Sequence, residues 1–104
     1  MSELDRLIHE PARLRILTLL SGLDVADFTF LLNTVGLTKG NLSSHMDKLE
    51  KAGYVEVLKS FNGRVPHTDF RITADGARAL KEYWDALDTI RSLREAPETD
   101  PDRK

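Results

Sequence analysis

Three histidines, a pair of adjacent serines and a run of acids are the residues that could support catalysis or metal binding. Ser43 and Ser44 precede His45 directly, but adjacency in sequence is not a dyad. A nucleophile needs a base set across from it and a third group to orient that base. There is no glycine-rich phosphate loop, no nucleophile elbow and no cysteine, so the chain is not expected to be an enzyme. His9, His45 and His67 lie on separate segments, without a His-x-x-x-His or Asp-x-His pairing. Glu82, Asp85 and Asp88 read as a solvated helix face, so neither a metal nor any other cofactor is expected.

The chemistry that remains is recognition of a polar polymer. Gly40, Asn41, Ser44, Lys48 and Lys51 share one face of a helical pattern, with Lys39 and Ser43 flanking it. Small donors and acceptors at a helix start, with lysines further along, suit base edges and phosphates. Asp47 counts against that face unless it accepts from cytosine N4, lies at the edge of the contact, or pairs with Lys51 one turn on. Arg64 follows an Asn-Gly pair; it is either a solvated hairpin residue or a probe of a narrow minor groove. Lys59 and Arg71 are phosphate contacts or strand-edge charges. Asn62 and His67 bound the same tip, and His67 could donate to a phosphate. His45 flanks a buried stripe, which favours packing or an internal hydrogen bond over DNA contact.

These residues need a scaffold, and 104 residues give room for one domain with a modest core. Leu4, Leu7 and Ile8 have helical spacing and predict a short helix. Pro11 suits the first turn of a second helix, with Leu14, Leu17 and Leu20 on one face, Ile16 and Leu19 widening it, and a stop at Ser21-Gly22. Asp27 is a good cap for a third, with Phe28, Leu31, Leu32 and Val35 inward and Gly36 as its end. Phe30 points off that stripe, toward the strands or into the open. Thr38 caps a fourth helix reaching about Ala52, whose Leu42, Met46 and Leu49 face the core, with Gly53 just past its end.

YVEVLKS and HTDFRIT read as two strands around a turn in FNGRVP, with Phe70 and Ile72 inward and Pro66 at an unpaired or edge position. Thr73 caps the last helix. Its stripe is Ala77, Leu80, Trp84, Leu87 and Ile90, with Tyr83 beside it. Ala77 and Leu80 are expected inward. Trp84, Leu87 and Ile90 are expected to face a partner, joined by Leu4, Leu7 and Ile8, because the stripe is wider than one small core can cover. EAPETDPDRK, rich in proline and charge, predicts a disordered tail over residues 96–104 after a domain over 1–95.

The composition is 40% hydrophobic and 31% charged, and no apolar run approaches the ~18 residues of a membrane span. The start lacks the basic and apolar regions of a secretory signal, which together with the absence of cysteine suggests a cytoplasmic protein. The net charge of −2 is unevenly spread: from Thr38 to Arg71 there are six basic residues against four acidic ones. A weakly basic face on an acidic body would steer phosphates to one side.

PARLRILTLLSG resembles the second-helix pattern of the ArsR-like regulators. GLTKGNLSSHMDKLEKAGYVEV is similar to the turn and recognition helix shared by ArsR-like and MarR-like proteins. Their Ser-x-His-Leu-x-x-Leu-x-x-Ala-Gly pattern appears here as Ser43, His45, Met46, Leu49, Ala52 and Gly53, with Met in place of Leu. FRITADGARAL is similar to their Thr-x-x-Gly entry into the last helix. The resemblance spans roughly residues 4–93. It implies a winged helix-turn-helix fold, mainly α with a small β-hairpin wing, and a homodimer through terminal helices. The recognition helix would enter the major groove of duplex DNA at a pseudo-palindromic operator, and the wing would meet the adjacent minor groove. Thr38, Lys39, Gly40, Asn41, Ser43, Ser44, Lys48, Lys59, Asn62, Arg64, His67 and Arg71 are then the expected DNA contacts. The alternative is a winged helix that serves as a protein–protein module or co-regulator without DNA, for which the acidic net charge and Phe30 speak. A small-molecule effector, if there is one, would sit between subunits.

Overall fold

A computed structural model describes residues 4–95 and 97. The tail expected over residues 96–104 lies outside them apart from Pro97. The order is α1 (Pro11–Ser21), β1 (Ala26–Asp27), α2 (Phe28–Val35), α3 (Lys39–Lys51), β2 (Val55–Asn62), β3 (Val65–Ile72) and α4 (Ala74–Ser92), closed by a 3-10 turn over Leu93–Glu95. The strands form one antiparallel sheet in the order β1-β3-β2. Helices α2 and α3 are the helix-turn-helix, and the β2–β3 hairpin is the wing.

Local chemistry sets most of the boundaries. The Asp27 carboxylate accepts from Phe30 N at 2.7 Å, Thr38 Oγ1 from Asn41 N at 3.2 Å, and Thr73 Oγ1 from Gly76 N at 3.0 Å. Each satisfies an amide that the first turn of a helix leaves unpaired. The chain leaves α2 through Gly36 at φ +77° and α3 through Gly53 at φ +79°, the left-handed region that glycine enters without a Cβ clash. Glu10 caps α1, its two oxygens accepting from Ala12 N at 3.1 Å and Arg13 N at 2.8 Å.

The core joins Ile8, Ile16, Leu17, Leu20, Leu31, Leu42 and Leu49, all fully buried, to Met46, Val55, Phe70, Leu80 and Tyr83. Close packing is tightest where α4 crosses the base of the wing. A Cβ at Gly76 would stand 2.2 Å from the Tyr54 carbonyl oxygen and 2.9 Å from Ile72 Cγ1. Thr73 Oγ1 also donates to the Gly53 carbonyl at 2.6 Å, so the Thr-x-x-Gly signature fastens α4 to the end of α3 and the start of β2.

Four expectations need correction. Residues 6–8 form a turn, not a helix: Asp5 Oδ1 accepts from Leu7 N at 2.9 Å and Ile8 N at 3.3 Å, and His9 N donates back to the Asp5 carbonyl at 2.7 Å. Ile8 is wholly buried in the chain's own core and has no surface for a partner. The inward stripe of α4 is Gly76, Leu80, Tyr83 and Ala86; Ala77 is exposed and Tyr83 is core, a phase error of one residue. Asn62 pairs with Val65, so Gly63 and Arg64 are the central turn residues rather than Asn-Gly. Gly63 has φ +66° while no non-glycine among the described residues has a positive φ, the combination a II′ hairpin turn asks for. The two-residue strand β1 offers too few positions to show any periodicity.

Candidate nucleic-acid interface

Leu42, Met46 and Leu49 bury one side of α3, which turns the rest of its surface outward. Thr38, Lys39, Gly40, Asn41, Ser43, Ser44 and Lys48 are all exposed. At a hundred degrees per residue, Gly40, Ser44, Lys48 and Lys51 form the ridge farthest from the core, with Asn41 along one flank. Ser43 lies on the other flank and faces the wing. Together with Met46, Asp47 and Glu50 it meets Val57, Lys59, Thr68 and Phe70 across a hollow of about 310 Å³.

Gly40 is informative because the fold does not ask for it. Its φ is not positive, and a Cβ built there would meet nothing within 4 Å. Alanine has the higher helix propensity. The bare backbone on the outward face of α3 leaves room for a close approach from outside the chain.

The wing divides the expected contacts between two faces. Successive strand residues point to opposite sides. The register pairs Val57 with Phe70, Lys59 with Thr68 and Phe61 with Pro66, which puts all six on the side that closes over α3. Glu56, Ser60, Asn62, His67, Asp69 and Arg71 occupy the outer side. There Arg71 Nη2 donates to Glu56 Oε1 at 2.8 Å, and His67 Nε2 lies 2.9 Å from Asp69 Oδ1. Lys51 lies 3.3 Å from Asp47. Arg71, Lys51 and the His67 ring thus each have an acidic partner within the chain. Lys39, Lys48, Lys59 and Arg64 make no ion pair among the described residues, and all four are exposed. Pro66 falls where β3 has run past the two residues of β1, so its missing N–H is at the open edge of the hairpin.

His45 is half-buried and engaged inside the chain. Arg13 Nη1 lies 3.0 Å from its Nδ1, and a guanidinium can only donate, so Nδ1 accepts. The same Arg13 donates through Nε to the Leu7 carbonyl at 2.6 Å, tying the N-terminal turn, α1 and α3 to one side chain. Glu10 Oε2 lies 3.7 Å from His45 Nδ1. Partial burial pushes the Glu10 carboxyl upward. The Arg13 and Ala12 amides, then the His45 ring and the Arg13 charge, outweigh that and leave it below the 4.5 of an ordinary glutamate. Glu10 and Arg13 were missed as positioning residues because neither belongs to a periodic stripe. A second brace runs from Tyr54, whose hydroxyl donates to Asp5 Oδ2 at 2.5 Å and is pushed up to about 12, chiefly by that bond.

On the far side of the molecule α4 leaves apolar surface open. Trp84 is 41% exposed, Ile90 40% and Leu93 60%. Trp84 also closes a shallow hollow of about 420 Å³ with Leu14, Leu19 and Val35. Leu4, Leu7 and Leu87 are partly buried against the chain's own core. Phe30 is 44% exposed on α2. No helix among the described residues is long and apolar enough to cross a membrane, and no group of three or more His, Cys, Asp or Glu among them could hold a metal ion.

Comparison with known proteins agrees with this architecture. Residues 12–90 match the model of a family described as a winged helix DNA-binding domain. An uncharacterised protein of Methanocaldococcus jannaschii is 42% identical over 79 residues, 75% of this chain and 85% of that protein. Among solved structures, a transcriptional regulator homologue from Pyrococcus horikoshii superposes with a TM-score of 0.81 at 29% identity, covering 88% of this chain and 91% of that one. The transcriptional repressor CouR, solved bound to a 23-mer DNA duplex, shares the fold with a TM-score of 0.71 at 24% identity, covering 86% of this chain and 62% of that one.

Proposed function

We propose that this chain, which belongs to the winged helix DNA-binding domain family, is a homodimeric repressor that recognises a pseudo-palindromic operator. The observation that carries the proposal is Gly40: a glycine without a role in the fold, at the outermost point of α3, beside cations left unmatched. Insertion of α3 into the major groove would bring the Gly40 backbone against the DNA and place Asn41, Ser43 and Ser44 at base edges. Lys39 and the free amides of the first turn would hold a phosphate. Lys48 would anchor one flank of the helix, with Lys59 and Arg64 reaching the adjoining backbone and minor groove.

The outer face of the wing contributes less. Arg71 and His67 would have to leave Glu56 and Asp69 to meet a phosphate. Homodimerisation is supported by the exposed apolar side chains of α4, with Trp84 and Ile90 at its centre and Leu87, Leu4 and Leu7 at its margin. Two copies of α3 would then read half-sites about one helical turn apart, and occupancy of a promoter would exclude polymerase. CouR, which carries this fold on DNA, illustrates the docking proposed. The apolar hollow at Trp84 is where an effector between subunits would lie.

The test compares Ser44→Ala and Arg64→Ala on the duplex that the wild type selects from a random pool and on a scrambled duplex. Ser44→Ala is expected to cost about 1–3 kcal/mol on the selected duplex only. Arg64→Ala should weaken both and flatten the salt slope by roughly one unit. Equal behaviour of both variants and the wild type on both duplexes would remove α3 and the wing from DNA binding.

A further inference from the structure

The most exposed large apolar side chain among the described residues is on the wing: Phe61, at 73%. It stands two residues beyond Lys59 on the same face of β2, opposite Pro66, and past the reach of α3. Nothing in the fold covers this flat apolar pair. We propose, resting on the DNA-binding reading above, that Phe61 backed by Pro66 is an apolar contact to the minor groove, wedging at a base step beside each half-site.

Three features of the site favour duplex DNA over a protein surface. The ring lies on the side of the hairpin that α3 occupies, so a duplex seated on α3 runs beneath it. Lys59 precedes it on that face and Arg64 stands at the turn above it, so two unmatched cations bracket one ring. That order suits a ligand whose anions flank an apolar surface, as phosphates flank the sugar walls and base faces of a minor groove. Third, the ring sits on an extended strand, largely exposed beside Pro66 and free to enter a narrow space. Phenylalanine and proline are side chains that can partly unstack a step, at lowest cost where the step is pyrimidine–purine. A contact of this kind releases no counterions, so it adds affinity without adding salt dependence.

The experiment uses the full chain, with Phe61→Ala and Phe61→Leu, on the duplex that the wild type selects from a random pool. 2-Aminopurine is placed in turn at each position flanking the half-sites. Phe61→Ala is expected to bind about 10-fold more weakly or worse at every salt concentration, with an unchanged salt slope. The 2-aminopurine fluorescence rise expected with the wild type should be lost. Phe61→Leu should stay within roughly threefold of the wild type, because leucine can serve as a wedge. Melting temperatures should change little, since the ring is 73% exposed and sits opposite Pro66 at the end of the hairpin. Wild-type affinity in Phe61→Ala overturns the proposal. So does a loss that comes with a flatter slope, because the ring would then be acting through Arg64. A wild-type chain that binds no duplex would overturn the DNA reading itself, and the wedge with it.

Discussion

A glutamate is an uncommon cap for a helix, and Glu10 combines that task with an electrostatic one. Its oxygens take the Ala12 and Arg13 amides while Arg13 reaches across to His45 on α3. Because its folded pKa is depressed, its contribution to stability is complete above the unfolded value of 4.5 and is lost as pH falls through the folded value. Urea midpoints measured from neutral pH downward should therefore drop in the acid range. Glu10→Gln should be less stable at neutrality and should flatten that acid dependence, and an unchanged acid limb would show that other carboxylates govern it. Gly40 gives the opposite kind of prediction. Gly40→Ala should leave the urea midpoint unchanged or slightly raised, yet weaken DNA binding at least several-fold. A variant at least as stable and equally tight would show that the bare backbone at this position serves no partner.

Among the elements, α4 depends on one close approach. Gly76→Ala would drive a methyl group into the Tyr54 carbonyl, and backbone there cannot move without lifting the wing from α3. We expect it to destabilise the fold by about 1–3 kcal/mol or more, and a melting temperature within a degree of wild type would contradict the packing described. Element boundaries were legible wherever a local device set them: Asp27, Thr38 and Thr73 before helices, Gly36 and Gly53 after them. Errors arose where a pattern fitted two structures. Leu4, Leu7 and Ile8 match one helical turn equally well whether or not the helix continues, and the Asp5 side chain closed the turn instead. Tyr83 and Trp84 are adjacent aromatics, and only the packing of α4 on α1 decides which is core. Likewise the pairing register separates Lys59 from Arg71 and His67, a distinction that depends on which residues meet across the hairpin.

At the scale of the whole molecule the net charge of −2 is a poor guide, because α3 and the wing gather four cations that make no ion pair among the described residues. Lys39, Lys48, Lys59 and Arg64 lie along α3 and the α3-facing side and tip of the wing, while apolar α4 surface is presented elsewhere. Trp84 and Ile90 are about two-fifths exposed, so an acidic replacement at Ile90 should leave the fold intact. Ile90→Glu is expected to run as a monomer by light scattering and to bind a single half-site no more weakly than the wild type. On the full operator it should lose most of its advantage. A dimer that survives the charge would place the interface away from α4.

Sequence-preferring binding of duplex DNA by this surface is the property on which the other predictions depend. Fluorescence anisotropy across a salt series, on a random duplex pool and on the chain's own upstream region, tests it most directly. Lys39, Lys48, Lys59 and Arg64 on each of two protomers predict a log–log slope of roughly −5 to −7, with tighter binding to the upstream region than to the pool. Flat or undetectable binding at low salt on both duplexes would deny the surface that property and turn the search toward a protein partner.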